Sequence, residues 1–484
     1  MCIRRFILPG IPGRSPDSAA PPGPGPPGAG AAFRPTTLTA VTTHETDSDT
    51  AVGPPAGTRA ARPISFVHIT QLSELIAEAR RHPKGIARAD LVESLSMGRN
   101  AVDRRLRTAL DMGLIRPAGR GVSSGGRAPQ MWRFNPDAAT LLALSVSYRH
   151  STAALMSLGG EVLERITWDD GLLSGPEAVV DGAIARLERL RTGRPGPGTP
   201  WGVGVSVPTP VDFRDGSIIS PVAGTDAGPS WTGFPLRPRL AEALGLSAWI
   251  DDEVNVMALA AATRIGAPQD LLYVRLSLGL GMGIVSGGQV HRGAGASSGE
   301  IAHIQMAGSG GRACRCGRRG CLETLISGGA MEVEAAGPQA LRSSPYLRGL
   351  MSEHEAISDI DVFRGVAAGD RVCVRIVTEA ADRLAVVLAV LTTTYNPGEI
   401  VLGGDVTASG QHFAQVIGQM VRRRVLPVTS ERLRVRMGGA DDALTGVSRL
   451  AAERLLSPHV MRAWLPHGTP AGVPELITHR RQDA

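Results

Sequence analysis

Apolar positions change period several times along this chain, and each change predicts an element. Leu72, Leu75, Ile76 and Ala79 recur at helical spacing and stop before Pro83 and Gly85, which predicts a first helix. Leu91, Val92 and Leu95 mark a second helix over roughly 87–95, and Ser96-Met97-Gly98 reads as the turn that follows. Val102, Leu106, Ala109 and Leu110 line one face of a third helix, whose other face carries Arg99, Asn100, Asp103, Arg104 and Arg107. After Gly113, Leu114-Ile115-Arg116 and Gln130-Met131-Trp132-Arg133-Phe134 read as two strands, joined by the Gly-rich basic loop 119–127. Three helices followed by a β-ribbon is the order of a winged helix-turn-helix, here over residues 63–137.

Beyond residue 138 short apolar runs alternate with longer helical stretches, the pattern of an α/β body. Strands are predicted at Leu141-Leu142-Ala143-Leu144-Ser145-Val146 and Ala153-Ala154-Leu155-Met156, with a turn at Gly159-Gly160. Further strands are expected in the runs 202–207, 248–250, 272–276 and 400–402. The spans 373–393 and 441–456 keep helical periodicity. Residues 1–62, with Pro21-Pro22-Gly23-Pro24-Gly25-Pro26-Pro27-Gly28 among them, hold too little apolar surface to offset their conformational entropy and are expected to be disordered. The same expectation applies to residues 457–484.

Composition adds a class and a partner. A chain of 484 residues that is 43% hydrophobic, with no apolar run near twenty residues, can bury sizeable cores and predicts no membrane span. Arg4-Arg5 precedes a short apolar stretch that Pro9 and Pro12 interrupt, a poor signal peptide, so a reducing cytoplasm is expected. Within 63–137 twelve lysines and arginines face seven acidic residues, a net of +5, against +6 for the whole chain. That concentration suits binding to DNA phosphates. Arg99, Asn100, Asp103 and Arg104 open the third helix. There, arginine can read guanine and asparagine adenine in a major groove. Arg120 and Arg127, in the loop, suit phosphates or a minor groove. Because such modules commonly read two half-sites, a homodimer or higher oligomer on a duplex operator is expected.

The chemistry concentrates in Cys314-Arg-Cys316-Gly-Arg-Arg-Gly-Cys321, with His303 eleven residues upstream of the first thiol. Three thiols and one imidazole at this spacing can close a tetrahedral Cys3His structural zinc site. Reduced, metal-free cysteines on a loop are the other reading. A disulfide framework is disfavoured, since only Cys2 and Cys373 remain. Glu300 and His303, three apart, share a face if their turn is helical. Glu300 and Glu323 can accept hydrogen bonds from sugar hydroxyls, and His303 can hold metal through one ring nitrogen while offering the other to a ligand.

Gly299-Glu300-Ile301-Ala302-His303 resembles the Gly-Glu-Ile-Gly-His box of the ROK family of repressors and sugar kinases. Cys321-Leu322-Glu323 resembles the end of its zinc signature, and Asn396-Pro397-Gly398 with Gly403-Gly404 matches a further stretch. The similarity covers residues 141–456. It implies a two-lobed, actin-like sugar-kinase domain over 138–456, with sugar held in the cleft by Glu300, His303 and Glu323. The N-terminal module resembles that of the family's repressors, which its kinases lack.

Three places depart from the kinase pattern. Ser147-Tyr148-Arg149-His150-Ser151 stands where the family's enzymes carry an Asp-x-Gly-Gly-Thr phosphate turn, and Tyr148 would crowd a phosphate. In Gly279-Leu280-Gly281-Met282-Gly283, Leu280 replaces the usual threonine. In Asp251-Asp252-Glu253-Val254-Asn255, Asp252 stands for an asparagine and Glu253 for the catalytic aspartate; both remain able to bond a sugar. Together these predict a sugar-responsive, DNA-binding transcriptional regulator of the repressor kind, without kinase activity. An active sugar kinase with an accessory DNA-binding head is the alternative.

Overall fold

The computed structural model describes residues 65–122, 128–193, 198–219, 231–264 and 266–478. The expectation for residues 1–62, and residues 123–127 of the basic loop with Arg127 among them, lie outside the described residues.

The N-terminal module contains α1 (Phe66–Arg81), β1 (Ile86–Ala87), α2 (Arg88–Ser94), α3 (Arg99–Asp111), β2 (Ile115–Arg120) and β3 (Gln130–Phe134). Its strands pair antiparallel in the order β1-β3-β2. The apolar faces predicted for α1 and α3 are buried, with Leu72, Leu75, Ile76, Val102 and Ala109 at most 1% exposed. Strand β1 escaped sequence reading because two residues carry no period. Arg105 is also buried, although Arg104 and Arg107 beside it face solvent.

Two lobes follow, built on one plan. The first lobe's sheet uses β4 (Thr140–Val146), β5 (Ser151–Ser157), β6 (Val162–Trp168), β7 (Val203–Val207) and, after the small hairpin β8 (Val211–Asp212) and β9 (Ser217–Ile218), β10 (Ala248–Asp252). Its order is β6-β5-β4-β7-β10, antiparallel among the first three strands and parallel from β4 to β10. The second lobe repeats that order as β13-β12-β11-β14-β15. The strands are β11 (Leu271–Leu276), β12 (Leu280–Ser286), β13 (Gln289–Val290), β14 (Glu399–Gly403) and β15 (Arg434–Met437). Strands β6 and β15 were not foreseen: both carry charged residues that interrupt the apolar run, Glu164 and Arg165 in one, Arg434 and Arg436 in the other.

Helices α4 (Pro176–Thr192) and α5 (Leu236–Leu244) cover one face of the first sheet, and α6 (Glu253–Ala262) starts directly at the end of β10. In the second lobe come the short α7 (Glu323–Ile326) and α8 (Gly328–Ala335), then α9 (Pro338–Ser343), α10 (Pro345–His354), α11 (Asp359–Ala367) and the long α12 (Arg371–Tyr395). Helices α13 (Gln411–Arg422) and α14 (Pro427–Ser430) flank β15. Helix α15 (Asp442–Leu455) crosses α6 so closely that a Cβ on Gly446 would collide with the carbonyl oxygen of Val256.

The loose end expected from residue 457 is not what the structure has up to residue 478. Helix α16 (Pro458–Trp464) and α17 (Pro474–Thr478) form there, with Trp464 and Met461 fully buried. Trp464 stacks at 5.2 Å on Trp201, and His459 lies 5.0 Å from Phe66 of α1. Ser73 of α1 donates a hydrogen bond to the carbonyl of Leu456 at 2.6 Å. Proline and glycine density misled here, because two buried aromatics outweigh it; removing such a tryptophan costs about 3–5 kcal/mol. Residue 137 therefore divides elements but not packing: Ile69, Leu72 and Leu106 share one apolar cluster with Val447, Leu455 and Trp464.

Candidate functional site

A cavity of about 650 Å³ opens between the lobes, and all five residues singled out for sugar line it: Asp252, Glu253, Glu300, His303 and Glu323. Each arrives on a different support. Asp252 ends β10 and caps α6, its carboxylate accepting from the Val254 amide at 3.0 Å. Glu253 is the first residue of α6, where the helix dipole favours a negative charge. Glu300 precedes a single 3-10 turn, Ile301–His303, which sets its carboxylate 3.9 Å from the His303 Nε2. Glu323 opens α7.

Electrostatics separates these carboxylates. Burial, then Glu300, pushes Asp252 well above the usual carboxylate range. Burial and the neighbouring Glu323 push Glu300 up to about 7. The Glu300 side chain is still 39% accessible, so water screens part of that effect. Asp251, whose pairing sequence reading did not address, is fully engaged: Arg292 binds one carboxylate oxygen and the Asn255 amide donates to the other at 3.1 Å.

Burial pushes the Glu253 carboxyl above its usual range, and a cation from the other lobe stands beside it. Arg275 Nε forms an ion pair with Glu253 Oε2 at 2.8 Å, both side chains at most 6% exposed, and Ser147 Oγ donates to Glu253 Oε1 at 3.2 Å. Arg275 also lies 5.6 Å over the ring of Tyr148, and Arg315 lies 5.1 Å from the same ring. Arg315 in turn pairs with Glu323 at 2.9 Å. The sequence held a signal for Arg275: it is the lone charge inside the apolar strand Leu271–Leu276, and a buried charge needs a partner.

Tyr148, Glu253 and Arg275 form a wall, for they also line a second cavity of about 450 Å³ on its far side. That cavity holds both hairpin turns that the kinase pattern assigns to phosphates. In the first, the Ser147 amide donates to the His150 carbonyl at 2.8 Å and closes the turn. A Cβ on Gly279 would come within 2.8 Å of the Tyr148 hydroxyl, so the tyrosine fills the space that glycine leaves at the second turn. Leu280 faces the first cavity; the residues of the second turn that line the other are Ser277 and Leu278. Asp359, Asp405 and Asp441 also line it, while Arg149 and Arg165 are taken up by Glu332 at 2.7 Å and Asp441 at 2.6 Å. Burial, then Asp405 and Glu332, pushes Asp359 up to about 7.

Next to the first cavity, His303, Cys314, Cys316 and Cys321 bring one ligand atom each to within 4.8 Å of one another. Tetrahedral zinc with Zn–S near 2.3 Å sets its sulfurs roughly 3.8 Å apart. The Cys316 and Cys321 sulfurs are 3.7 Å apart, and Cys314 Sγ is 3.7 Å from His303 Nδ1. Burial pushes the Cys314 thiol up to about 12, so its thiolate needs a cation beside it. Because Nδ1 faces the thiols, Nε2 is left toward Glu300.

The residues proposed to meet DNA are arrayed on α3 and β2. Arg99, Asn100 and Arg104 are exposed, as is Arg120, whereas Asp103 is half-buried and tied to Arg88 of α2 at 3.1 Å.

Two lobes of the same strand order around a polar inter-lobe cavity define the sugar-kinase class of α/β proteins. The chain belongs to the ROK family, whose pattern it matches over residues 151–454. A putative xylose repressor from Caldicellulosiruptor sp. is 24% identical over 366 residues, which is 74% of this chain and 88% of that protein. A glucokinase from Halalkalibacterium halodurans is 30% identical over 251 residues, 51% of this chain and 74% of the enzyme. Among solved structures, a ROK family transcriptional regulator, a homologue of the E. coli MLC protein, superposes with a TM-score of 0.65 at 22% identity. That match covers 82% of this chain and 98% of the other. Among the described residues no helix is long and apolar enough to cross a membrane.

Proposed function

We propose that the protein is a sugar-responsive, DNA-binding transcriptional regulator of the repressor branch of its family, working in the cytoplasm. One observation carries the reading: the cavity lined by Glu300, His303 and Glu323 is open, while Tyr148 and the Arg275–Glu253 pair close the route to phosphate. Phosphoryl transfer needs a free carboxylate at the sugar hydroxyl and an open path for the phosphate, and the Arg275 ion pair and Tyr148 count against both. The similarity to a putative xylose repressor, which extends over more of the chain than the similarity to a glucokinase, supports the same reading.

In this reading the N-terminal module is a winged helix-turn-helix. Arg99 and Asn100 read bases from the start of α3, Arg104 supports them, Asp103 orients Arg88, and Arg120 with Arg127 grips the backbone. His303, Cys314, Cys316 and Cys321 would hold a structural zinc that fixes the loop carrying the ligand-binding face of His303. A homodimer would place two modules on a pseudo-palindrome.

Operator fragments selected from genomic DNA, titrated with the full chain with and without xylose, glucose and N-acetylglucosamine, test this. One of the sugars should shift operator affinity by roughly 5–150-fold, the range of ordinary allosteric couplings. Arg99→Ala should erode discrimination between operators, by about 1–3 kcal/mol per base contact, whereas Arg120→Ala should weaken all duplexes alike. Steady ATP-dependent phosphorylation of a sugar by the purified protein, lost in Glu253→Ala, would establish the kinase instead.

A further inference from the structure

A third cavity, of about 570 Å³, lies where the N-terminal module meets the two-lobed body. Six arginines line it, three from each side: Arg80, Arg116 and Arg133 from α1, β2 and β3, and Arg264, Arg436 and Arg449 from the end of α6, from β15 and from α15. Asp442 is the one carboxylate among its described lining residues, and it already accepts from the Tyr273 hydroxyl at 2.8 Å and the Gly439 amide at 2.9 Å.

The pairing of these arginines leaves charge over. Arg264 and Arg436 share a single buried carboxylate, Glu399, at 2.9 and 3.0 Å, and Arg434 stands 3.7 Å from it as well. Arg449 pairs with Glu453 at 2.7 Å and Arg116 with Asp137 at 3.2 Å. Six guanidiniums thus face four carboxylates, Asp137, Glu399, Asp442 and Glu453, an excess of two positive charges before Arg434 is added.

The local geometry concentrates that excess. Arg116 and Arg133 are directly opposed in the β2–β3 ladder, a like-charge cross-strand pair that costs stability unless something negative lies between them. The Nε atoms of both are buried without a hydrogen-bond partner. Arg80 stacks over Phe134 at 4.8 Å and reaches only a main-chain oxygen, that of Leu158, at 3.5 Å. Burial and the nearby Arg449 push Arg80 down to about 9, consistent with a crowd of cations lacking its counter-charge.

We propose that this junction cavity binds the phosphate group of a small phosphorylated metabolite. Guanidinium forks match a phosphate's oxygens in geometry, and two surplus charges match a phosphomonoester dianion. Phe134, Pro136, Ala260 and Ala261 give the remainder of such a molecule an apolar wall. Operator DNA is the less suitable occupant, because no residue of α3 lines this cavity. A ligand held from both sides would fix the module against the body, a second input beside the sugar cavity; that consequence for DNA binding, unlike the binding itself, rests on the regulator reading.

Thermal melts and calorimetry of the full chain in phosphate-free, low-chloride buffer test the site, with inorganic phosphate, pyrophosphate and glycerol 3-phosphate as probes and glycerol as neutral control. At least one of the anions should bind at millimolar concentration or tighter and raise the melting midpoint; glycerol should not. Which anion binds best separates the free ion from an esterified phosphate. The double variant Arg133→Gln/Arg449→Gln should lose tenfold or more in anion affinity, while Glu300→Ala should lose none. Because it relieves repulsion, the double variant should melt no lower than the native protein when no anion is present. Absence of any anion response in the native protein at 10 mM overturns the proposal, whatever the variants do. So does an unchanged anion affinity in a folded double variant. A double variant that weakens operator binding while no anion binds the native protein would assign the cavity to the DNA backbone instead.

Discussion

The two cavities that share the Tyr148–Glu253–Arg275 wall differ in which polar groups they leave available. On the sugar side, polar groups remain available: Glu300 is accessible, His303 offers Nε2, and the cations Arg275 and Arg315 are matched by Glu253 and Glu323. On the other side three aspartates line the cavity, and Arg149 and Arg165 are paired with carboxylates. In the proposed reading, a transferase fold can keep recognition without transfer, because different elements carry the two tasks. Sugar contacts would come from the second lobe's 3-10 turn and α7, phosphate contacts from the paired β4–β5 and β11–β12 turns.

The sharpest way to break the contrast is to take away the proposed zinc. The purified chain should contain about one zinc, and Cys321→Ser should lose it, abolishing sugar binding while the nucleotide-side cavity and the DNA-binding module stay intact; apparent zinc-binding energies of about 10–16 kcal/mol in small domains make this the largest effect. Metal analysis and sugar titration of the same sample read both. Next in size, Glu300→Ala should weaken the effector sugar about 10–100-fold, the loss of a charge-assisted hydrogen bond worth about 1.5–3 kcal/mol, with ligand-free operator binding unchanged.

Tyr148→Gly attacks the wall itself. It should raise affinity for a non-hydrolysable ATP analogue about tenfold, yet produce no sugar phosphate, because Arg275 still neutralises Glu253. Turnover from that single change would show that the tyrosine, not the ion pair, is what silences the site. The smallest effect concerns Asp359. Between its ordinary value of 3.8 and about 7, the native carboxyl holds a proton that the unfolded chain has lost. Stability should accordingly fall as pH rises through that window and level off above it. Asp359→Asn keeps the acceptor for the Ile360 amide and removes the charge; it should flatten the slope and raise the melting midpoint at pH 8 by a few degrees, for about 1–2 kcal/mol.

Much of the sugar side was legible in the sequence because its residues cluster: Glu300, His303, Cys314, Cys316, Cys321 and Glu323 lie within two dozen positions. Helices α1, α3, α12 and α15 were legible for another reason, their long, unbroken apolar faces. The wall was half visible. Tyr148 stood out against a glycine pattern, but its neighbours Arg275 and Arg315 are 127 and 167 residues away and meet it only through the pairing of lobes. The junction cavity was invisible for the same reason, since its six arginines come from six separate elements and none forms a run. The C-terminal helices were misread because prolines at helix starts look like breakers when the buried tryptophan they serve is not yet known.

The contact between α1 and α16 has a consequence in time. Ribosomes add about 5–20 residues per second, so α16 emerges roughly 20–80 s after α1. During that interval Phe66 and Ser73 lack the partners that His459 and Leu456 supply. A nascent chain, or one truncated before Ser457, presents a first helix with an uncovered flank. The last helices to be made thus complete the packing of the first, and the N-terminal module reaches its final surroundings only when synthesis is nearly finished.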